Sequence, residues 1–279
     1  MKAAPKKSSQ AVESIDVLEV KRGILEVCVL GTSPYIAHAM SKKVQFELLL
    51  PRKKTAADKA ANLKHNPFEE FESAPYMVKG DKVPTRVVVP CVSFKAALRA
   101  AALDMPGTSK SEIGRQTYVY EEHVSLYGVP QLIMSVVRCA DINRTPDIRT
   151  RAIFPQWACK VRIGYVIPLL REKAVANLLA AAGIMCGIGD WRQQKGSGSY
   201  GMFELVSEKD PRFLAIIKSG GRVAQDAALR DPQPYDEETA NLLAFWTNES
   251  ARRGFCGTDN GVGGGNRIAH ELETNGATS

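Results

Sequence analysis

The feature of this sequence that most constrains its fold is the order in which strand-like and helix-like segments follow one another. The segment 23–30 is rich in β-branched and aliphatic residues, which is typical of a strand in the middle of a sheet. In the segment 93–103 apolar residues recur at helical spacing, and Ser93 stands where its side chain can cap that helix. The other predicted elements are three strands, a helix and a last short strand, at 118–127, 130–140, 157–167, 171–185 and 202–206.

This order predicts an α+β fold with a β-α-β-β-α-β core of the ferredoxin-like or RNA-recognition type. Two insertions interrupt the predicted core. A polar segment at about 50–83 has no sustained apolar pattern, and a long, basic, thumb-like hairpin is predicted at about 136–160. We therefore divide the chain into a disordered tail, the core with its insertions, a helical appendage and a Gly-rich disordered tail, at 1–12, 13–209, 210–253 and 254–279.

Composition excludes several classes of protein and favours an acidic partner. The chain has 279 residues, of which 44% are hydrophobic, so it can bury a substantial core. Its formal net charge of +7 favours binding to a polyanion. The six cysteines include no C-x-x-C pair, which argues against a zinc ribbon or a disulfide framework. Because no segment is long and apolar enough to span a bilayer, we expect a soluble, cytoplasmic protein without membrane contact, metal or cofactor.

A glycine-rich stretch at 187–201 spells the dinucleotide-binding pattern G-x-G-x-x-G, at Gly196, Gly198 and Gly201. That fingerprint works when the glycines lie between a strand and the N-terminus of a helix, whose free N–H groups bind the pyrophosphate. Here the glycines follow a predicted helix and precede a predicted strand. The order of elements therefore argues against a dinucleotide site, and the sequence contains no Walker-type phosphate loop.

Two interpretations of this stretch remain open: a flexible link between helix and strand, or a loop whose bare backbone lets a phosphate chain approach closely. The neighbouring residues fit the second interpretation. Trp191 offers a stacking face, while Arg192 and Lys195 offer positive charge. A stacking face beside cations is the combination that single-stranded nucleic acid requires.

The predicted hairpin and the strand after it form a second basic region. Its acidic residues are Asp141 and Asp147. They are outnumbered by its basic residues, which are Arg138, Arg144, Arg149, Arg151, Lys160 and Arg162. Because side chains alternate along a strand, Lys160 and Arg162 are expected to point to the same face. Planar guanidinium groups suit phosphate and stack on bases. The alternative is a charged hairpin that serves only solubility.

The segment 89–99 reads V-P-C-V-S-F-K-A-A-L-R, and the glycine stretch follows it within the same predicted core. Together they resemble the RAMP superfamily of CRISPR-associated RNA-binding proteins. Members carry a first-helix motif of the type I-P-G-S-S-L-K-G-A-L-R and a glycine-rich loop before the last strand of an RNA-recognition fold. The resemblance covers roughly half of the chain, about 87–206, and departs from the helix motif at Cys91, Val92 and Ala96.

Within that superfamily, the single core, the hairpin and the insertion look most like the backbone subunits of effector complexes, which polymerise along a guide RNA in antiviral defence. The resemblance implies that Lys95 and Arg99 contact phosphates, that the segment 141–151 acts as a thumb, and that the glycine stretch lines the groove. Because the C-terminal segment has no counterpart there, a stand-alone or virus-encoded relative is an alternative. The residues predicted to bind nucleic acid are Lys95, Arg99, Arg144, Arg149, Arg151, Lys160, Arg162, Trp191, Arg192, Lys195, Gly196 and Gly198.

The sequence thus predicts non-catalytic binding of single-stranded RNA, with DNA as an alternative, by a subunit that self-associates. A second hypothesis is an RNA-processing endoribonuclease of the same superfamily. Its candidate residues are His38, His65, His123, Asp141 and Asp147. The sequence pairs none of them with a partner, so no catalytic residue is predicted. A third hypothesis is an interaction protein that uses the fold to join or block an effector complex.

Overall fold

The structure, a computed structural model, describes residues 17–50, 65–80, 83–138, 145–195 and 198–254. The predicted tail at 1–12, nearly all of the tail at 254–279, and the hairpin tip with Asp141 and Arg144 lie outside the described residues, as does Gly196. The described chain is an α+β protein built on antiparallel sheets, so the predicted fold class is confirmed.

The strands are β1 (Lys21–Gly31), β2 (Tyr35–Ala37), β3 (Tyr76–Met77), β4 (Val87–Pro90), β5 (Thr117–Val119), β6 (His123–Ser125), β7 (Gln131–Arg138), β8 (Pro146–Phe154), β9 (Ala158–Ile167) and β10 (Phe203–Val206). The helices are α1 (Lys42–Leu49), α2 (Pro67–Ser73), α3 (Cys91–Ala101), α4 (Lys110–Gln116), α5 (Glu172–Met185), α6 (Pro211–Ser219), α7 (Arg222–Arg230) and α8 (Glu237–Arg252). None of these helices is both long and apolar enough to cross a lipid bilayer.

A four-stranded antiparallel sheet in the order β10-β1-β9-β5, the main sheet, organises the core. β1 and β9 pair along nearly their whole length, from Lys21 opposite Ile167 to Leu30 opposite Ala158. Helix α3 lies between β1 and β5 in the chain, and α5 lies between β9 and β10. The two helices pack against each other and against the sheet. The four strands and two helices therefore follow one another in the order read from the sequence.

One face of the main sheet is buried under α3 and α5. Because side chains alternate along a strand, Leu25 and Val29 of β1 point to the same face, and both are buried. Phe94 and Leu98, four residues apart on α3, belong to the same core, as does Leu179 of α5. Each such side chain contributes about 2 kcal/mol when it is removed from water. We call the opposite face of the main sheet its outer face.

The hairpin differs from the predicted one. Two three-stranded sheets, in the orders β2-β8-β7 and β3-β4-β6, complete the fold. β7 pairs with β8, from Gln131 opposite Ile153 to Arg138 opposite Pro146, whereas β9 belongs to the main sheet. The physical reason is burial, because the alternate residues Cys159, Val161 and Ile163 of β9 are all in the core and hold this strand there.

Other elements also differ from the sequence predictions. The predicted strand at 118–127 is two short strands, β5 and β6, in different sheets. Helix α3 has Pro90 as its N-cap with no side-chain cap, so the prediction that Ser93 caps it is wrong. The predicted surface insertion contains α2, which Asn66 caps and whose Phe71 is fully buried.

The segment predicted as a helical appendage is attached to all three sheets. On α6, Phe213 packs with Leu30 of the main sheet. On α8, the Thr239 hydroxyl accepts a hydrogen bond from the backbone N–H of Met134 in β7, at 3.2 Å. Helix α7 is joined to the β3-β4-β6 sheet through Gln225. Each of the three helices thus contacts a different sheet.

Gln225 is fully buried, and its carboxamide bonds only to backbone groups. Its Oε1 accepts hydrogen bonds from the N–H groups of Arg86 and Val87, at 2.8 and 2.9 Å. Its Nε2 donates towards the carbonyl oxygens of Leu126, Gly128 and Gly220, at 2.7, 3.0 and 3.1 Å. One side chain therefore satisfies backbone groups from three separate parts of the chain.

We predict that Gln225→Leu lowers the free energy of unfolding by about 3 kcal/mol or more, because backbone N–H and C=O groups are left buried without partners. Urea denaturation followed by circular dichroism measures the change. The matched control is Gln233→Leu, which removes an exposed carboxamide and is expected to change stability by less than about 0.5 kcal/mol. Equal stability of the two variants would contradict this role of Gln225.

Candidate nucleic-acid interface

The loop between α5 and β10, described at 186–195 and 198–202, is shaped by glycines; we call it the glycine loop. Gly187, Gly189 and Gly201 have φ angles of 67°, 86° and 70°, in the left-handed region that side chains disfavour. The N–H of Gly187 closes α5 by donating to the Ala182 carbonyl oxygen, at 2.9 Å. At Gly201 a Cβ would fall 1.7 Å from the carbonyl oxygen of Ile188. Backbone geometry therefore explains these glycines.

Gly198 permits a close approach within the loop itself. A Cβ at Gly198 would lie 1.7 Å from the carbonyl oxygen of Trp191. The N–H of Tyr200 donates to the same oxygen, at 3.3 Å. Trp191 has a φ of 53°, which is uncommon for a residue with a side chain. The two limbs of the loop thus lie backbone to backbone, and Trp191 lies where they meet.

Trp191 forms the aromatic centre of the glycine loop. Its ring is stacked with that of Tyr200, with centroids 6.0 Å apart and planes 13° apart. Both side chains are half-buried, so Trp191 is less exposed than its polar neighbours in the sequence suggest. They border an open groove whose other lining residues are Pro34, Gly198, Ser199 and Tyr235. A groove lined by aromatic faces can hold a nucleobase by stacking.

Arg151 of β8 is buried against this loop, with 5% of its surface exposed. Its guanidinium carbon lies 5.2 Å from the Trp191 ring centroid, and its Nε forms an ion pair with Asp190 at 3.0 Å. Nη1 donates a hydrogen bond to Ser135 Oγ, at 3.0 Å. Burial lowers the pKa of Arg151, and the charge of Asp190 opposes this shift. The sequence predicts Arg151 as a nucleic-acid contact, but the structure commits its guanidinium to holding Asp190 and Trp191.

The two cations predicted in the loop differ in their surroundings. Arg192 is half-buried, and its guanidinium donates to the Gly189 carbonyl oxygen at 2.8 Å and to the Gln194 side chain at 3.3 Å. Lys195 is exposed and forms no ion pair with any residue that the structure describes. Lys195 is therefore the loop cation most able to meet a phosphate.

Lys95 and Arg99 lie on α3, the helix that packs against α5. Lys95 is half-buried, whereas Arg99 is exposed and its side chain lies against Gly114 of α4. Helix α3 packs on α5, which leads into the glycine loop. Burial, and then the charge of Asp104 just beyond α3, raise the pKa of Cys186 at the start of that loop. The structure thus brings the predicted helix motif and the predicted loop motif together on one pair of helices.

The cations predicted in the basic hairpin fall into two separate groups. Lys160 and Arg162 lie on β9 and share the outer face of the main sheet, as their spacing predicts. Lys160 pairs with Glu208, and Arg162 pairs with Glu121. Arg149 lies on β8, in a different sheet. The hairpin therefore does not gather these side chains into one patch.

His65 bridges two carboxylates. Its Nδ1 lies 2.8 Å from Glu70 Oε1, and its Nε2 lies 3.0 Å from Asp147 Oδ1. This bridge joins α2 to β8, and the indole N–H of Trp246 in α8 donates to the His65 carbonyl oxygen at 3.1 Å. Both ring nitrogens are engaged, so His65 acts here as a structural link between three elements.

The remaining histidine candidates differ from each other. The His38 side chain is exposed, yet its pKa is lowered, chiefly by partial desolvation of the ring and then by the charge of Arg151. Its Nε2 lies 3.4 Å from Arg149 Nη1. His123 is exposed on β6. In the part of the chain that the structure describes, no three His, Cys, Asp or Glu side chains are grouped to hold a metal ion.

Sequence reasoning missed three residues of this site: Asp190, Tyr200 and Tyr235. Asp190 and Tyr200 lie within the glycine stretch, where an acid and a second aromatic residue close to Trp191 were the available signal. Tyr235 comes from the C-terminal segment, and its N–H donates to the Leu132 carbonyl oxygen at 2.8 Å. No local pattern marks it, because only this long-range contact brings it to the groove.

Comparisons with known proteins find no protein-family model and no curated protein that matches the sequence. Among solved structures, the chain is similar to a subunit in the cryo-EM structure of the Type III-B Cmr-beta bound to cognate target RNA. The identity is 15% and the TM-score 0.33, over 67% of this chain and 60% of that one. It is also similar to Cmr6 from Pyrococcus furiosus, with 9% identity and a TM-score of 0.35, over 67% of this chain and 98% of that one. Both TM-scores lie below 0.5, so neither likeness bears on the role of the glycine loop.

We predict that Gly198→Ala separates the two limbs of the glycine loop, because a Cβ cannot lie 1.7 Å from the Trp191 carbonyl oxygen. The free energy of unfolding is expected to fall by about 1–3 kcal/mol. The near-ultraviolet circular dichroism of the aromatic rings is also expected to change. Gly80→Ala is the control, since the nearest atom to its added Cβ is 3.7 Å away. If neither the free energy of unfolding nor the near-ultraviolet circular dichroism changes, Gly198 does not lie close to the Trp191 carbonyl oxygen.

We also predict that His38 makes stability depend on pH. Its folded pKa lies below the ordinary value of 6.5, so the folded state binds this proton less readily than the unfolded state does. The contribution of neutral His38 to the free energy of unfolding is complete above pH 6.5. It is lost as the pH falls from 6.5 through the folded pKa of His38. Urea denaturation at neutral and acidic pH is expected to show a smaller loss for His38→Gln than for the unsubstituted protein. Equal losses would contradict the lowered folded pKa of His38.

Proposed function

We propose that this chain binds single-stranded RNA along its backbone, without cleaving it, as a repeating subunit of a CRISPR-type ribonucleoprotein complex of the cytoplasm. The observation that carries the proposal is the parallel ring pair of Trp191 and Tyr200, held by buried Arg151 in a loop that also presents exposed Lys195. Aromatic faces stack on bases of any sequence, and a nearby cation attracts the phosphate chain. This combination suits sequence-independent contact with one strand.

The assignment to RNA and to a multi-subunit complex is supported by the two motifs that resemble the RAMP superfamily. In the structure both motifs belong to one packed unit, because α3 packs against α5 and α5 leads into the glycine loop. Lys95 and Arg99 of α3 form no ion pair with a described residue. Since no described carboxylate neutralises these two charges, we assign them to phosphates of the bound RNA.

The geometry favours binding over cleavage. Each ring nitrogen of His65 is bonded to a carboxylate, so neither is available to a substrate. The Nε2 of His38 lies 3.4 Å from Nη1 of Arg149, so a cation occupies that side of its ring. A strand of RNA on the glycine loop would thus meet stacking faces and cations.

We predict that Lys195→Glu weakens the binding of single-stranded RNA by about 10-fold at low salt, because a phosphate contact becomes a repulsion. The slope of log Kd against log salt concentration is expected to fall by about 0.7, the value for one phosphate contact on a single strand. Fluorescence anisotropy with a labelled oligouridine, from low to moderate salt, measures both. An oligodeoxyuridine of equal length measures the preference for RNA.

Lys173→Glu is the matched control for this experiment. It makes the same change in net charge on an exposed lysine in the first turn of α5. This position is about 18 Å along the helix from the end that leads into the glycine loop. We expect Lys173→Glu to keep the original affinity and slope. Equal losses in the two variants, or no loss in Lys195→Glu, would refute the role of the loop.

A further inference from the structure

The outer face of the main sheet is covered at one end and open at the other. Helix α6 covers the end where Phe213 packs with Cys28, Leu30 and Ala158. At the opposite end, Ile24 of β1 is 52% exposed. This open end is a surface that neither the core nor the glycine loop uses.

Two tyrosines lie on this open end. Ile24, Gly164 and Tyr118 are in register across β1, β9 and β5. Gly164 makes room for the Tyr118 ring, because a Cβ there would lie 2.1 Å from the ring carbon Cζ. The Tyr118 hydroxyl donates to that of Tyr120 at 2.8 Å, and the ring centroids are 4.9 Å apart. The two rings therefore form one unit.

Two guanidinium groups flank these rings. Arg22 lies 5.7 Å from the Tyr118 centroid, and Arg162 lies 5.6 Å from the Tyr120 centroid. Arg162 is paired with Glu121, whereas Arg22 forms no ion pair within the described ranges. The positive charge of Arg22 is therefore the one on this surface that a phosphate can pair with. We call Arg22, Tyr118, Tyr120 and Arg162 the tyrosine face.

We infer that the tyrosine face is a second binding site for single-stranded nucleic acid, on which adjacent bases stack and Arg22 contacts a phosphate. The inference rests on the proposed function, because the occupant is the same class of polymer, but it uses residues separate from the glycine loop. Aromatic rings on an open sheet with guanidinium groups beside them suit unstacked bases. Single-stranded nucleic acid is favoured over a protein partner because a guanidinium group lies beside each ring, which suits a base with its phosphate.

The test compares a variant carrying Tyr118→Leu and Tyr120→Leu with one carrying Tyr118→Phe and Tyr120→Phe. The leucine pair removes the stacking faces and is expected to weaken oligouridine binding by about 10-fold or more. The slope with salt is expected to stay unchanged, because no charge is removed. The phenylalanine pair keeps the rings and is expected to keep the affinity. Oligouridine containing 4-thiouridine is expected to cross-link to the peptide that carries Tyr118 and Tyr120.

Phe245→Leu is the control, since it removes another exposed aromatic ring, on α8, and is expected to leave affinity unchanged. If the leucine pair binds as the unsubstituted protein does, and no cross-link maps to this peptide, the tyrosine face is not a site. Loss in Lys195→Glu would then leave the proposed function standing. If the unsubstituted protein binds no RNA, both proposals fail.

Two further results would also decide the matter. Unchanged RNA affinity with an altered sedimentation coefficient in the leucine pair would assign the face to a protein contact and overturn the inference. If the leucine pair does not fold, the phenylalanine pair and the cross-link map decide. Retained affinity together with a cross-link to this peptide supports the site, and absence of that cross-link overturns it.

Discussion

The buried guanidinium of Arg151 is the interaction on which the candidate site depends. Removing a cation from water costs several kcal/mol unless paired groups compensate it. Here the carboxylate of Asp190, the hydroxyl of Ser135 and the ring of Trp191 supply that compensation. Since Ser135 and Arg151 lie on paired strands while Asp190 and Trp191 lie in the glycine loop, the loop and the hairpin hold each other in place.

The C-terminal helices contribute to the same site although they lie far from it in the sequence. The backbone of Leu132 in β7 bonds on both sides to the segment before α8, with its N–H donating to Gln233 and its carbonyl oxygen accepting from Tyr235, each at 2.8 Å. These bonds bring Tyr235 to the groove beside Trp191 and Tyr200. The groove is therefore built from several separate segments, and the C-terminal segment supplies Tyr235 to it.

Glycine has the same physical role in both proposed surfaces. Gly198 lets the backbone of the loop approach the carbonyl oxygen of Trp191, and Gly164 lets the Tyr118 ring lie close to β9. In each case the absence of a Cβ leaves room for the chain to hold an aromatic residue in place. The glycine itself is not proposed to contact the ligand. The letters of the glycine pattern are thus less informative than the side chains that the glycines position.

The sequence by itself determined the α+β class, the order of the main-sheet elements and the place of the glycine loop, because β-branched runs and helical spacing are local properties. It also placed Trp191 and Lys195 in that loop. Only the tertiary structure decided that β9 leaves the hairpin for the main sheet, that Arg151 is buried, and that His65 meets Glu70 and Asp147. These outcomes depend on burial and on register between distant strands, and local periodicity contains no information about either.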